Sequence, residues 1–340
     1  MKNRRTNVTA FDVARLAEVS QSAVSRAFTP GAAVAEATRQ KILEAAKKLG
    51  YRPNAIARSL ITSRSRIIGV VVSYFDNQFY PLVIELLSKE LQLHGYHLLL
   101  FCTESADADN LMHEILQYQV DGIVMASTTF SSPLARSCSD AGIPVVLFNR
   151  TARNSSSSTV ASDNVAGGKL VADLLCTRKH RRMAFIAGLE DTSTSRDREQ
   201  GFLQGLAAHG RTCHARAVGN YRAADAAKAA IELFSRRPAP DAMFVANDHM
   251  AIAVMDTLRQ KLALRIPEDV SVVGFDDVPQ AAWGSYDLTT VRQPARDMIA
   301  ATVELLIRQI GDQEAPTENV VLPVELVMRG SVRAAKVTHR

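Results

Sequence analysis

The sequence lacks the features of membrane, secreted and metal-binding proteins. Its 340 residues contain no run of about 18 apolar residues, so we expect no membrane span. The basic residues at its start are not followed by an apolar segment, so we expect no secretory signal and a cytoplasmic location. The four cysteines are far apart and include no Cys-x-x-Cys pair, which indicates reduced thiols rather than a disulfide framework or a zinc site.

The motifs of common catalytic sites are missing as well. There is no Gly-x-Gly-x-x-Gly after the first predicted strand, no Walker loop and no Gly-x-Ser-x-Gly elbow. His94 and His97 are three residues apart, but one lies near a predicted helix end and the other begins a strand, so they do not suggest a metal pair. We therefore expect no enzymatic activity, no metal and no cofactor.

The charge is unevenly distributed along the chain. The net charge is +5, yet residues 1–66 hold 13 Lys and Arg against four acidic residues, a net charge of +9 that leaves −4 for the other 274 residues. A basic head on a mildly acidic body is typical of a nucleic-acid-binding module joined to another domain. A solvated charged surface is the alternative explanation of the composition alone.

The basic head has the pattern of three short helices. Thr9 opens a predicted capping box at the first helix, and Ser20 is a suitable N-cap for a second helix over residues 21–28. A third helix is predicted over residues 36–49, with Gly50 as its C-cap. Apolar residues at helical spacing form the predicted core of the head: Val13, Leu16, Ala17, Ala23, Val24, Ala27, Ile42, Leu43, Ala46 and Leu49.

Two short helices joined by a tight turn, followed by a third, predict a helix-turn-helix unit. The second helix presents four polar residues outward: Gln21, Ser22, Ser25 and Arg26. Because arginine can donate two hydrogen bonds to guanine and glutamine can pair with adenine, this helix is the predicted reader of the major groove. A small three-helix domain without a DNA role is the alternative.

Three segments of the head carry characteristic residues in a fixed order and without gaps: 8–27, 37–42 and 49–60. Their sequences resemble the N-terminal signature of the lactose/galactose repressor family of bacterial regulators. Ala35 departs from it, because family members often place a serine cap before the third helix, and losing a cap costs about 1 kcal/mol. The resemblance implies four further DNA contacts: Thr9, Ser20, Tyr51 and Asn54.

A hinge is predicted after the head. The residues that follow Pro53 are mostly good helix formers, but about seven residues cannot hold a helix in water because nucleation is costly. The family resemblance implies a hinge helix that forms on DNA, with Leu60 as a wedge between base steps and Ala57 at the floor of the minor groove. A plain linker is the alternative.

From residue 67 onward, short apolar segments alternate with segments of helical periodicity, which predicts parallel doubly wound sheets. The predicted strands are residues 67–73, 97–102, 122–126, 144–148, 182–187, 241–246 and 271–275. The predicted helices are residues 79–94, 107–119, 165–177, 195–209, 223–235 and 250–260. These strands exceed one sheet, so we predict two α/β lobes with a ligand cleft between them, at the carboxyl ends of the strands.

Polar residues that follow strand ends are the candidate ligand site. Asn247-Asp248 and Asp276-Asp277 follow predicted strands, and Arg198 opens a helix. These groups suit sugar hydroxyls, because carboxylates accept hydrogen bonds and arginine donates them in a fixed fork. For Asp248 and Asp277 we favour helix capping over ligand contact. An aromatic ring should stack on the sugar, and there are four candidates: Phe79, Tyr80, Tyr221 and Trp283.

The body resembles the same family, which extends the similarity to residues 8–332. The resemblance implies that Arg198, Asn247 and Asp276 contact an effector. It also implies more variable wall positions that select the ligand: Asn77, Phe79, Tyr80, Asp163 and Tyr221. Finally, it implies chain crossings that return residues 298–310 to the first lobe and a strand near 320–328 to the second.

These features predict a helix-turn-helix domain (1–53), a hinge helix and linker (54–66), a two-lobed effector-binding and dimerisation domain like periplasmic binding proteins (67–332), and a tail (333–340). The tail lacks the leucine repeat of the family's tetramers, so we expect a homodimer. The predicted function is transcriptional regulation, as a repressor that binds a palindromic operator in double-stranded DNA and responds to a small polar effector, a sugar or sugar derivative. A solute-binding protein without a DNA role is the main alternative, and an α/β enzyme is the third.

Overall fold

The computed structural model describes residues 8–29, 31–52, 64–73, 75–102, 108–126, 137–138, 140–151 and 157–334. The chain divides into two compact units, Met1–Ser65 and Arg66–Arg340, called here the head and the body. The predicted DNA contacts Asn54, Ala57 and Leu60 lie outside the described residues.

The head consists of three helices: α1 (Ala10–Ala17), α2 (Gln21–Ala27) and α3 (Glu36–Leu49). The predicted capping box is present, since Thr9 Oγ1 accepts from the Asp12 N–H at 3.4 Å and Asp12 Oδ2 accepts from the Thr9 N–H at 3.0 Å. Ser20 Oγ accepts from the Ala23 N–H at 3.2 Å and caps α2. Gly50 ends α3 with a φ of 67°, a left-handed conformation that glycine adopts without strain.

Small and β-branched side chains fill the core of the head: Val13, Ala14, Ala17, Val24, Ala27, Ile42, Ala45 and Ala46. Two predicted core residues are wrong, because Leu16 is 49% exposed and Leu43 is 39% exposed. Each is one residue, about 100° of helical rotation, away from a buried position of its helix. A second apolar residue beside a buried one therefore faces solvent.

The body contains two lobes, each built on a six-stranded sheet. The first lobe holds β1 (Ile67–Val72), α4 (Phe79–Leu93), β2 (His97–Cys102), α5 (Ala108–Gln117), β3 (Gly122–Ala126), β4 (Val145–Phe148), β5 (Ser158–Ser162), α10 (Ala295–Gly311) and β11 (Asn319–Leu322). The second lobe holds α6 (Asn164–Thr177), β6 (Met183–Ala187), α7 (Ser193–Ala208), β7 (Ala215–Val218), α8 (Ala223–Ser235), β8 (Ala242–Val245), α9 (Asp248–Gln260), β9 (Ser271–Asp276), a 3₁₀ turn (Pro279–Ala282), β10 (Thr289–Arg292) and β12 (Glu325–Val327).

The strand orders are β11-β5-β4-β3-β1-β2 and β12-β10-β9-β8-β6-β7. The described pairings are parallel except that of β10 with β12, so the predicted fold of two parallel doubly wound lobes is confirmed. Within the described ranges, no helix combines the length and the apolar character needed to cross a membrane. The same residues contain no cluster of three His, Cys, Asp or Glu side chains that could hold a metal ion.

The chain passes between the lobes at three places: after β5, after β10, and between β11 and β12. The predicted return of residues 298–310 to the first lobe is confirmed, because α10 packs on α4 and on four strands of that lobe, β3, β4, β5 and β11. The predicted return of a strand near residues 320–328 to the second lobe is confirmed for β12, but this segment contains two strands rather than one. β11 pairs with β5 in the first sheet and β12 with β10 in the second. Pro323 lies between them and cannot donate a backbone hydrogen bond, so it interrupts the strand.

Strands β5, β7 and β10 lie outside the predicted strands. Each has four or five residues, and their sequences STVAS, ARAV and TTVR lack the apolar run that marks a buried strand. In β5 and β10, hydrogen bonds make the burial of hydroxyl groups possible: Gln309 Nε2 donates to Ser158 Oγ at 2.8 Å, and the Thr290 hydroxyl donates to Asp248 Oδ1 at 2.6 Å.

Candidate functional site

The outer face of α2 is the candidate DNA-reading surface of the head. Val24 and Ala27 are buried, and this orients four exposed polar side chains outward, as predicted: Gln21, Ser22, Ser25 and Arg26. Arg39 on α3 donates to the Ala27 carbonyl at 2.6 Å and to the Ala32 carbonyl at 3.0 Å. It therefore fixes the end of the reading helix against the loop that follows, a role that the sequence reasoning missed.

Three other predicted DNA contacts have structural roles within the head. The side chains of Thr9 and Ser20 cap helices, and the ring of Tyr51 packs on that of Phe28 with 5.8 Å between centroids. Their contact with DNA stays a prediction.

A polar cavity lies between the two lobes of the body, at the carboxyl ends of several strands. Nine residues line it: Asn77, Tyr80, Asn149, Arg150, Thr194, Arg198, Tyr221, Asn247 and Asp276. Its volume is about 20 Å³, which has room for about one water molecule. The lobes are therefore closed on the cavity in this structure.

Arg198 forms the centre of the cavity wall on α7. Only 2% of its surface is exposed, and its Nε donates to Asn164 Oδ1 at 2.8 Å. Nη1 donates to the Ala246 carbonyl at 2.6 Å, and Nη2 lies 3.4 Å from Asp276 Oδ1. The guanidinium stacks over the ring of Phe275 at 3.7 Å from its centroid. Contacts on all sides hold this cation in one orientation, so it can present fixed donors to a ligand.

Asp276 ends β9 with a φ of 122°, a left-handed backbone that is unfavourable for any residue other than glycine. Burial raises the pKa of its carboxyl to about 6, and the charge of Arg198 and a hydrogen bond from Gln293 Nε2 at 2.7 Å oppose that rise. Strained backbone that is held in place by its surroundings is concentrated at functional sites. The strain here orients the carboxylate toward both the arginine and the cavity.

Two asparagines place buried polar atoms at the cavity that lack a hydrogen-bond partner. Asn247 Oδ1 caps α9 by accepting from the Met250 N–H at 3.0 Å, while its Nδ2 has no partner. Asn149 has a φ of 57°, and its Oδ1 is likewise unsatisfied. Each buried polar atom without a partner lowers the stability of the folded chain by about 1–3 kcal/mol. A ligand that accepts from Asn247 Nδ2 and donates to Asn149 Oδ1 would remove this cost.

Tyr221 closes one side of the cavity from another strained position, with a φ of 57°. Its hydroxyl lies 3.1 Å from the hydroxyl of Thr194, and its ring covers Gly188. A Cβ atom at Gly188 would lie 2.1 Å from that ring, so glycine is required for the close approach. On the other side, burial raises the pKa of Tyr80, and the charge of Arg150 opposes that rise.

The cavity brings together six of the eight predicted effector residues: Asn77, Tyr80, Arg198, Tyr221, Asn247 and Asp276. Three predicted wall or stacking residues must be corrected. Asp163 caps α6 by accepting from the Ala166 N–H at 2.8 Å. Phe79 is buried in the core, where its ring stacks on that of Phe148 at 6.4 Å. Trp283 is 56% exposed and lies outside the lining.

The sequence reasoning missed three lining residues: Asn149, Arg150 and Thr194. Asn149 and Arg150 directly follow β4, so the rule that polar residues after strand ends form the site would have found them. Thr194 lies in the first turn of α7, and nothing in its sequence surroundings marked it.

Asp248 and Asp277 have structural partners, but capping is not their role. Asp248 is fully buried and accepts from the Val278 N–H at 3.0 Å, besides its bond with Thr290. Asp277 accepts from Arg292 Nε and Arg329 Nη2, each at 2.6 Å. The cap of α9 is the preceding residue, Asn247, so the capping interpretation is wrong for both aspartates.

A head with an exposed polar recognition helix and a two-lobed body with a buried polar cavity define a class: the ligand-responsive DNA-binding regulators. The sequence profile of bacterial regulatory proteins of the lacI family matches residues 9–54. The profile of the periplasmic binding protein-like domain matches residues 172–332.

Curated relatives match nearly the whole chain. The HTH-type transcriptional repressor PurR of Vibrio vulnificus (strain CMCP6) is 32% identical over 330 residues, which cover 96% of this chain and 98% of the relative. The HTH-type transcriptional regulator CelR of Thermobifida fusca is 32% identical over 338 residues, which cover 96% and 99%. The chain belongs to the LacI family of bacterial regulatory proteins.

Solved structures agree in architecture. The lac repressor dimer bound to operator and the anti-inducer ONPF has a TM-score of 0.86 at 25% identity, covering 97% of this chain and 100% of that chain. A CelR–cellobiose complex has a TM-score of 0.74 at 31% identity, covering 95% and 99%. The chain is thus a DNA-binding transcriptional regulator with an effector-binding body, and the alternative of a solute-binding protein without a DNA role is not supported.

Proposed function

We propose that this regulator is a repressor that binds a palindromic operator as a homodimer, and that a sugar or sugar derivative bound between the lobes controls it. One observation carries the proposal of a sugar. The cavity is lined by amide, hydroxyl, guanidinium and carboxylate groups. Two of the amide side chains, those of Asn149 and Asn247, have a buried atom without a hydrogen-bond partner. Such a lining matches a ligand that carries many hydroxyl groups.

The aromatic residues support a sugar over a planar heteroaromatic effector. Tyr80 and Tyr221 are the aromatic residues in the lining, and the hydroxyl of Tyr221 already contacts Thr194. Phe79 and Trp283 supply no face to the cavity. A flat heterocycle would need apolar faces on both sides, whereas a sugar needs mainly hydrogen bonds. The cellobiose complex of CelR is consistent with this preference.

The head supports DNA binding by electrostatics and by shape. The net charge of +9 over residues 1–66 attracts phosphates, and the exposed face of α2 supplies Arg26 and Gln21 for base contacts. The operator-bound lac repressor dimer supports a two-fold arrangement on a palindromic site. We propose Ala57 and Leu60 as the minor-groove contacts of a hinge helix, on the basis of the family resemblance.

Control follows from linkage. The cavity has room for about one water molecule in this structure, so a bound sugar displaces side chains that line it or changes the lobe arrangement. DNA and effector then shift the same equilibrium between lobe arrangements, each according to its preference for one of them.

A thermal-shift screen of the full chain tests the effector class. The panel holds monosaccharides, disaccharides, sugar acids, polyols and nucleobases at millimolar concentration. We expect a sugar-type compound to raise the melting temperature, since a ligand at 100 times its Kd adds about 2.7 kcal/mol. Arg198→Met should remove the shift, and Arg196→Met, an exposed arginine on the same helix, should keep it. A shift by nucleobases alone would contradict a sugar effector.

A further inference from the structure

Five buried polar residues around the cavity form a closed ring of contacts. Ser162 Oγ donates to Gln293 Oε1 at 2.7 Å, and Gln293 Nε2 donates to Asp276 Oδ1 at 2.7 Å. Asp276 pairs with Arg198 at 3.4 Å, and Arg198 Nε donates to Asn164 Oδ1 at 2.8 Å. Asn164 Nδ2 donates to the carbonyl of Ser162 at 3.0 Å and closes the ring. None of the five is more than 5% exposed, so each bond is shielded from water.

The ring lies where the chain passes between the lobes. Ser162 ends β5 and Asn164 begins α6, so these two flank the first crossing. Gln293 follows β10 and precedes Pro294, so it lies at the second crossing. The third crossing is attached to the first, because the Asp163 N–H donates to the Leu322 carbonyl at 2.8 Å. Hydrogen bonds therefore connect all three crossings to Arg198 and Asp276 of the cavity, the third crossing by way of the first.

A change in the arrangement of the lobes should alter the hydrogen bonds of this ring. The cavity leaves room for about one water molecule, so a sugar bound there displaces lining side chains, Arg198 and Asp276 of the ring among them. Rotation of one lobe against the other changes backbone angles at the crossings, which are the segments that connect the lobes. The hydrogen bonds of Ser162 and Gln293 join two of these crossings, so we expect a change of backbone angles there to strain them.

We propose that Gln293 and Ser162 are positioning residues that couple ligand contact at Arg198 and Asp276 to the geometry of the chain crossings, and so to the lobe arrangement. This inference rests on the proposed function, because it takes the cavity as the effector site. Neither side chain lines the cavity, so their effect on a ligand is exerted through Asp276. They therefore affect how the lobes respond to a bound ligand more than they affect the contacts between the ligand and the cavity.

The first lobe contains a matched pair that serves as a control. Gln309 Nε2 donates to Ser158 Oγ at 2.8 Å, and both residues are buried, at 7% and 0% exposure. This pair also joins a buried glutamine to a buried serine, with the glutamine as donor where Ser162 is the donor to Gln293, and it joins α10 to β5 within one lobe. Gln293→Met and Gln309→Met therefore each remove a buried glutamine–serine bond, and only the first opens the ring.

The test measures the lobe arrangement without any ligand. Nitroxide labels are attached through a ketone-bearing unnatural amino acid at Lys89 in the first lobe and Lys228 in the second, where the native side chains are 68% and 81% exposed. Labelled chain is diluted with unlabelled chain, and electron–electron double resonance gives the intrachain distance. We expect Gln293→Met to shift or broaden the distance distribution, and Gln309→Met to leave it as in the parent. The same distributions in the two variants would overturn the proposal.

A second measurement uses sugars. D-glucose, D-galactose and cellobiose are the probes, and the readout is the change in affinity for a duplex selected by the parent from a random library. We expect Gln293→Met and Ser162→Ala each to reduce the sugar-induced change about 2- to 30-fold, with no further loss in the double variant. Gln309→Met should keep the parental response. A parental response in Gln293→Met would refute the coupling. If no probe alters the parent, the proposed sugar effector loses support, and the distance measurement still decides on the ring.

Discussion

Replacing Arg198 by methionine tests how the cavity holds its buried charges. The variant keeps a long side chain over Phe275 but leaves the carboxylate of Asp276 without its cationic partner, in a site that is 5% exposed. It also removes donors from Asn164 Oδ1 and from the Ala246 carbonyl. Removing one partner of a buried ion pair costs about 3–5 kcal/mol, so we expect the free energy of unfolding of the body to fall by that amount near pH 7.5.

The loss should depend on pH in a defined direction. Burial raises the pKa of Asp276 to about 6 in the folded chain, and Arg198 opposes that rise, so the pKa in the variant should be higher still. A folded-state pKa above the unfolded value gives stability that is full at low pH and is lost as pH rises through the folded pKa. The deficit of Arg198→Met should therefore shrink on going from pH 8 to pH 5. The change should be about 1.4 kcal/mol for each unit by which its Asp276 pKa exceeds that of the parent.

Urea unfolding at the two pH values measures this effect. The chain has a single tryptophan, Trp283 in the body, so its fluorescence reports on the body rather than on the head. Arg196→Met is the control, since its side chain is exposed on the same helix and should change stability by less than about 0.5 kcal/mol. Adding Asp276→Asn to Arg198→Met should abolish the extra pH dependence. A deficit that is equal at both pH values would refute the account of the buried charge pair.

Three further predictions concern single positions. Ala35→Ser should add the missing cap of α3 and raise the stability of the head by about 1 kcal/mol, measured by circular dichroism; an unchanged midpoint would count against the capping argument. Gly168→Ala should lower the stability of the body by about 1–3 kcal/mol in the same urea assay, because its Cβ would lie 2.3 Å from the Arg198 carbonyl oxygen. Gly284→Ala is the control and should be neutral, because a Cβ atom there meets nothing within 4 Å. Arg26→Ala should weaken binding to the selected duplex by about 1–3 kcal/mol in fluorescence anisotropy, and an equal loss on random DNA would argue against base reading.

The architecture could be predicted because, in most helices and strands, the spacing of apolar residues along the sequence matches the side chains that are buried in the fold. The predicted helix over residues 36–49 and the strands over 97–102 and 122–126 have the observed bounds, since each is a continuous amphipathic or apolar segment with clear ends. Strand β10 could not be found in this way. Its threonines are buried because Asp248 and the Arg329 carbonyl accept from their hydroxyl groups, and those partners are 40 or more residues away.

The candidate site was predictable where strand order decides it. Asn247 and Asp276 follow strands and reach the cavity, as Asn149 does by the same rule. The Gln293–Ser162 bond was beyond sequence reasoning, because it joins residues 131 positions apart at two separate crossings. Nor could the sequence indicate the backbone of Asp276, since aspartates with positive φ are found mostly at about 50–70°, whereas this residue has a φ of 122°.

The central claim is that a ligand in the cavity between the lobes controls DNA binding. Fluorescence anisotropy of the full chain on the selected duplex, with and without the sugar that stabilises it, tests this most directly. We predict a change in DNA affinity of about 5- to 150-fold for the parent and none for Arg198→Met, whose head is unaltered. A sugar that saturates the parent and leaves its DNA affinity unchanged would contradict the claim.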